Sequence, residues 1–198
     1  MTLAFSSLEQ CKRAYAIGCA YKTDDYNQSA VSDWATRCAR NHVADLKQLR
    51  KFDRTHMFEL LSDLPSLYPG GGTWLERRLD DIEAGRARCT VAVSWNGSIV
   101  GATIETPKGR RTTKLSTIFV DKRFRRIGIG TSLLRCCRQR WIQTELDEVV
   151  MTVNSARLSE LLPSAKAIGF HLAATERSRY GVDRHEAILK WQPSSIGG

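Results

Sequence analysis

The run Arg125-Arg126-Ile127-Gly128-Ile129-Gly130-Thr131 is where residue types and spacing point most directly to chemistry. Two glycines separated by one residue allow a tight turn. They also let backbone N–H groups approach an anion with no Cβ in the way. If a helix starts at this point, its first amides lack partners and its dipole is positive there. The two arginines add fixed charge. Together these features describe a seat for a phosphate or pyrophosphate. The run is not a Walker loop, because no Gly-Lys-Ser/Thr closes it. It is not a dinucleotide fingerprint either, because G-x-G-x-x-G is absent and no acidic residue follows on a second strand at the required distance.

The neighbouring segments supply the elements this seat needs. Residues 115–120, LSTIFV, are apolar and β-branched, as a buried strand would be. Residues 129–144 are expected to form a helix, with Leu133, Leu134, Cys137 and Trp141 on one apolar stripe. Further upstream, 46–52 reads as a first strand. Asp53 to Thr55 offers an N-cap for a helix through Met57, Phe58, Leu60 and Leu61, which Pro65 ends. Thr73 is expected to cap a second helix over 74–84, with Gly85 as its stop. Strands follow at 89–95, 98–106 and 112–120, the first two joined by an Asn96-Gly97 hairpin turn. Beyond the long helix come a strand at 148–154, a helix at 155–167, and strands at 170–175 and 185–191, separated by a polar loop.

The spacing Arg-x-x-Gly-x-Gly after a strand and before an amphipathic helix resembles the acyl-CoA signature of the GCN5-related N-acetyltransferases (GNAT superfamily). The resemblance extends over about residues 44–192. It rests also on the two early helices, the Asn-Gly hairpin, Asn154 at a strand end, and Ile168-Gly169-Phe170 closing the last helix. It implies an α/β (α+β) fold with a GNAT-like mixed central sheet of about seven strands in the order β-α-α-β-β-β-α-β-α-β-β. It also implies direct transfer of acetyl from acetyl-CoA to a primary amine, with no metal. The cosubstrate would be held by the backbone at Phe119 and Val120, by the loop Arg125, Arg126, Ile127, Gly128, Ile129, Gly130 and Thr131, and by Asn154.

The catalytic groups are less determined. Many members of the family place a tyrosine four residues before the glycine of Gly-Phe, as an acid toward the leaving thiolate. Ala165 stands there in this chain, beside Ser164. Glu105 near a strand end is a candidate base through water, and Tyr180 and Ser164 are candidate donors. The alternative is a non-catalytic acyl-CoA- or nucleic-acid-binding module of the same fold. The acceptor is open among a small molecule, a protein and an aminoacyl-tRNA.

Composition bounds the rest. A chain of 198 residues with 42% hydrophobic residues, five Trp and six Phe can build one full core. Residues 1–43 fall outside the resemblance and read as a helical extension, dispensable for cofactor binding; 44–192 read as the acetyltransferase domain and 193–198 as a flexible tail. No apolar run is long enough for a membrane span, and the N-terminus does not read as a signal peptide, so a cytoplasmic monomer or homodimer is expected. Six cysteines form no C-x-x-C pair; Cys11, Cys19, Cys38 and His42 fit no common zinc spacing, and free thiols are the simpler reading. The net charge is +9, yet residues 107–144 hold eleven Lys or Arg against the single acid Asp121. That patch exceeds what coenzyme A phosphates require. It raises contact with a nucleic acid such as tRNA as a possibility, beside a solvated turn.

Overall fold

The computed structural model describes residues 43–45, 54–64, 70–94, 98–177 and 185–193. Among them the elements are β1 (Val43–Asp45), α1 (Arg54–Leu60), α2 (Gly71–Glu83), β2 (Arg88–Val93), β3 (Ile99–Pro107) and β4 (Thr112–Val120). Then come α3 (Ile129–Gln143), β5 (Glu148–Asn154), α4 (Leu158–Lys166), β6 (His171–Glu176) and β7 (Glu186–Trp191). The order is the one the resemblance implies. The strands form one seven-stranded sheet, β1-β2-β3-β4-β5-β7-β6. Its only parallel pair is β4 with β5; each other neighbouring pair is antiparallel.

Each face of the sheet has its own core. On one face Met57, Leu61, Leu75 and Leu79 from the α1–α2 region pack on Val91, Ala102 and Ile104. On the other, Leu134, Cys137 and Trp141 of α3 and Ala165 of α4 meet Met151, Leu189 and Trp191. Trp141 is the centre of this second core. Its ring lies edge-on to Phe170 at 5.7 Å and tilted against Trp191 at 5.2 Å. Gly101 lets α3 approach β3 closely. A Cβ there would meet Ile129 Cγ2, Leu133 Cδ1 and the Phe119 carbonyl, each at 3.2 Å.

Several boundaries differ from the sequence expectations. The edge strand pairing with β2 is Val43–Asp45, earlier than the expected 46–52, a stretch that lies outside the described residues. Helix α2 starts at Gly71, with Gly70 at its N-cap in the left-handed region (φ 70°). Thr73 is therefore inside the helix, and a glycine turn rather than a hydroxyl cap opens it. The Asn96-Gly97 turn lies outside the described residues. The strands it joins do pair, and Ser94 N donates to the Ser98 carbonyl at 2.8 Å. The expected helix over 155–167 divides into a 3₁₀ turn, Ser155–Arg157, and α4, because the Asn154 side chain accepts from Ala156 N at 2.9 Å and caps the tighter turn.

Candidate functional site

Strands β4 and β5 pair only at Thr112–Glu148, Thr113–Val149 and Lys114–Val150. Beyond these positions they diverge. The far edge of β4 remains bonded to β3, but there its extra residue, Ser116, interrupts the register: Glu105 faces Leu115 while Ile104 faces Thr117. A cavity of about 620 Å³ occupies the divergence, lined by residues 114–120 of β4 and 151–154 of β5. Backbone N–H and C=O groups facing such a split have no strand partner, and a bound chain of amides can satisfy them.

The cavity runs to the glycine loop, and Arg125, Arg126, Gly128, Ile129, Gly130 and Thr131 all line it. Asp121 sets up the loop entrance. Its carboxylate binds the Arg123 side chain at 2.7 Å and accepts from Arg123 N at 2.9 Å. The Arg123 side-chain bond is the chief reason its pKa lies below the ordinary 3.8. Gly128 is the N-cap of α3 at φ 90°, and no side chain caps the helix. The first helical bond runs from Ser132 N to the Gly128 carbonyl at 2.9 Å. The amides of Ile129, Gly130 and Thr131 thus have no acceptor within the helix. Arg126 is also left-handed, at φ 66°, although it carries a Cβ. Such a residue costs on the order of 1 kcal/mol, the kind of local strain that collects at binding loops. Gly130 is not demanded by packing: an added Cβ would lie 3.7 Å from Val120 Cγ2, an ordinary contact.

The side chains at the loop do not all behave as expected. Arg125 folds back, donating from Nε to the Val120 carbonyl at 2.9 Å, with its guanidinium 5.6 Å from the Phe119 ring centre. It therefore braces the end of β4. Arg126 is exposed along the cavity, and Arg157 joins it from the 3₁₀ turn before α4. Ile127 packs against the small core around Val100, Ile129 and Leu133.

The structure brings Ser164 and Asn154 to this cavity but not Glu105. Ser164 shares a hydrogen bond with Thr131 Oγ1 at 2.9 Å, tying α4 to the start of α3. Asn154 lines the wall while capping the turn that follows it. Ala165, at the family's tyrosine position, is fully buried in the α3–α4 core. Glu105 is 4% exposed, lies beneath α3, and is bound there by Arg140 Nη2 and Trp141 Nε1. It does not line the cavity, so the expectation of a base at Glu105 is corrected: the carboxylate is half of a buried ion pair. Tyr180 lies outside the described residues. Burial pushes the nearby Cys137 thiol up to about 12, with the Glu105 charge adding to the effect, which leaves it a neutral core group.

The sequence reading missed Glu186. It is 1% exposed, opposes Asn154 in the β5–β7 register, and lines the cavity. Strand alternation held a signal for it. Ala187, Leu189 and Trp191 are apolar in alternate positions, so Glu186 had to face the other way.

The family model of the acetyltransferase (GNAT) domain matches residues 75–186, more than half of the chain. This chain belongs to the GNAT acetyltransferase family. Solved GNAT-type folds are similar to it over most of their length. One is a GNAT family acetyltransferase from Elizabethkingia anophelis with acetyl-CoA bound: 16% identity, TM-score 0.57, covering 77% of this chain and 99% of that one. Another is an aminoglycoside 6′-N-acetyltransferase complexed with coenzyme A: 14% identity, TM-score 0.58, covering 79% and 99%. A third is Ard1 from Thermoplasma volcanium: 18% identity, TM-score 0.57, covering 76% and 97%. At these identities the likeness is one of fold. No curated protein sequence matches the chain significantly. Among the described residues, no helix is long and apolar enough to cross a membrane, and no group of three or more His, Cys, Asp or Glu is placed to hold a metal.

Proposed function

We propose that this GNAT protein transfers the acetyl group of acetyl-CoA to a primary amine. The observation that carries the reading is the continuity of one cavity, from the β4–β5 divergence to the bare amides of Ile129, Gly130 and Thr131. The strand edges suit the pantetheine amides, and the loop suits the pyrophosphate, with Arg126 and Arg157 supplying charge. Bound there, acetyl-CoA supplies a thioester carbonyl for attack and a thiolate leaving group. The protein contributes orientation by β4 and β5, exclusion of water by the apolar walls, and a place for the acceptor proton. Ser164, held by Thr131, lines the cavity, and its hydroxyl can hydrogen-bond the donor arm. No tyrosine is needed at Ala165 for this, because a thiolate is a fairly good leaving group. The amine class draws support from the neighbours, one of which is named for N-acetylation of an aminoglycoside.

The test is thiol release from acetyl-CoA across a panel of primary amines, alongside the shift in melting temperature with acetyl-CoA alone. The expected result is thiol release with at least one amine and a concentration-dependent rise in Tm. Absence of any Tm shift would defeat the cofactor assignment. A shift without thiol release from any amine would favour the binding-module reading.

A further inference from the structure

Of the cavity's described residues, Glu160 and Glu186 are the two acids. Glu160 is exposed on α4, whereas Glu186 is 1% exposed at the start of β7. The sheet decides which way Glu186 faces. Ala187, Leu189 and Trp191 are buried, and Leu189 and Trp191 belong to the α3–α4 core, so Glu186 points to the opposite face. That is the face on which α1 and α2 lie. Leu64, Trp74 and Phe119, which pack on the α1–α2 core, line the same cavity. The glycine loop and Ser164 occupy its other flank. A donor arm running down the β4–β5 split therefore meets a pocket where one buried carboxylate shares the lining with Leu64, Trp74 and Phe119.

We infer that Glu186 receives the ammonium of the acceptor and acts as its base, and that the acceptor carries this ammonium on an apolar stem lying against Leu64 and Trp74. The inference rests on the transferase reading above. Glu186 removes one proton from the ammonium. The nitrogen lone pair then forms the N–C bond to the acetyl carbonyl carbon while the C–S bond breaks. The second nitrogen proton goes to the departing thiolate, leaving an amide, a free thiol and a protonated Glu186 that returns its proton to water. A carboxylate suits this role because it can hold a cation in a charge-assisted hydrogen bond and accept its proton, and burial shields Glu186 from bulk water. Its register neighbours are Asn154 on β5 and Glu176 on β6. Around the cavity the charged groups are Lys114, Arg125, Arg126, Arg157 and Glu160.

The experiment measures kcat/KM against pH for wild type, Glu186→Gln and Glu186→Asp. The amines are 2-phenylethylamine and tryptamine, with spermidine and kanamycin as polar comparators. Acetyl-CoA thermal shifts are recorded for every variant. The expected result is turnover of the apolar-stem amines. Glu186→Gln should lower it roughly a hundredfold and move the ascending pH limb up to that of the free amine, while keeping the acetyl-CoA shift. Glu186→Asp should recover part of the rate. Glu186→Gln within threefold of an active wild type, with the same pH limb, overturns the inference and leaves the transferase reading standing. Turnover confined to spermidine and kanamycin overturns the apolar stem. Wild type that binds acetyl-CoA yet releases thiol with none of these amines overturns the inference and counts against the transferase reading. If Glu186→Gln does not fold, Glu186→Ala decides: a kcat/KM within threefold of wild type with the same pH limb overturns the assignment.

Discussion

At Gly128 the backbone sits at φ 90°, where a side chain is strained, and the position opens onto the cavity. Gly128→Glu places both a Cβ and a negative charge where the loop amides converge. The expected outcome is a folded protein whose melting temperature no longer rises with acetyl-CoA, as read by thermal shift. Glu105 works in the opposite direction. Its carboxylate is 5% exposed and its partner Arg140 14% exposed, so neither charge is relieved by solvent. Replacing one member of a buried pair leaves the other uncompensated, at a cost of about 3 kcal/mol or more. Glu105→Gln is therefore expected to lower stability to urea by about 3 kcal/mol while retaining the acetyl-CoA shift. A loss of that shift would return Glu105 to the site. Sequence alone could not separate these two fates, since Arg140 and Trp141 lie 35 and 36 residues away and meet Glu105 only because α3 packs over β3.

The connection from β4 to α3 carries the glycine loop, and Asp121 shapes its entrance by binding Arg123. Its pKa is lowered chiefly by the Arg123 side chain. A carboxylate with a depressed folded pKa adds stability that is present above its unfolded value and lost as pH falls through the folded one. Wild type should thus exceed Asp121→Asn in stability at neutral pH. The gap should close only as pH drops below 3.8, seen in Tm measured from neutral pH down into the acid range. A gap independent of pH would show that the turn needs only an oxygen acceptor, which asparagine also supplies. The long helix and β5 were legible because their patterns are local: an apolar stripe in one case, a short apolar run in the other. The start of α2 was not. Thr73 looks like a cap, yet the entry is made by a left-handed Gly70, and nothing in residue type alone ranks one above the other. The division of the last helix was also hidden, because the Asn154 cap that causes it depends on where β5 ends.

On the scale of the molecule, the sheet order sets what can meet. Strand β7 lies between β5 and β6, which puts Glu186 beside Asn154 at the mouth of the cleft, a juxtaposition no pattern along the chain reveals. The charge surplus of residues 107–144 was legible as a count, and the fold now sorts it. Arg111 ties the β3–β4 turn to the loop after α3, donating to the Glu145 carbonyl at 2.7 Å and pairing with Asp147 at 3.0 Å. Arg123 binds Asp121, Arg125 braces β4, and Arg140 is buried with Glu105. Lys108 and Arg110 remain exposed on the turn and lie outside the cavity lining. A test of polyanion binding should therefore change these two and leave Arg111 in place. Lys108→Ser with Arg110→Ser is expected to leave the acetyl-CoA thermal shift unaltered. On immobilised RNA it should reduce retention and flatten the dependence of log K on log salt by roughly two units, one for each phosphate no longer neutralised. Wild type that passes over the RNA at low salt would instead assign the turn to solubility, and the acceptor would then be sought among small amines and peptides alone.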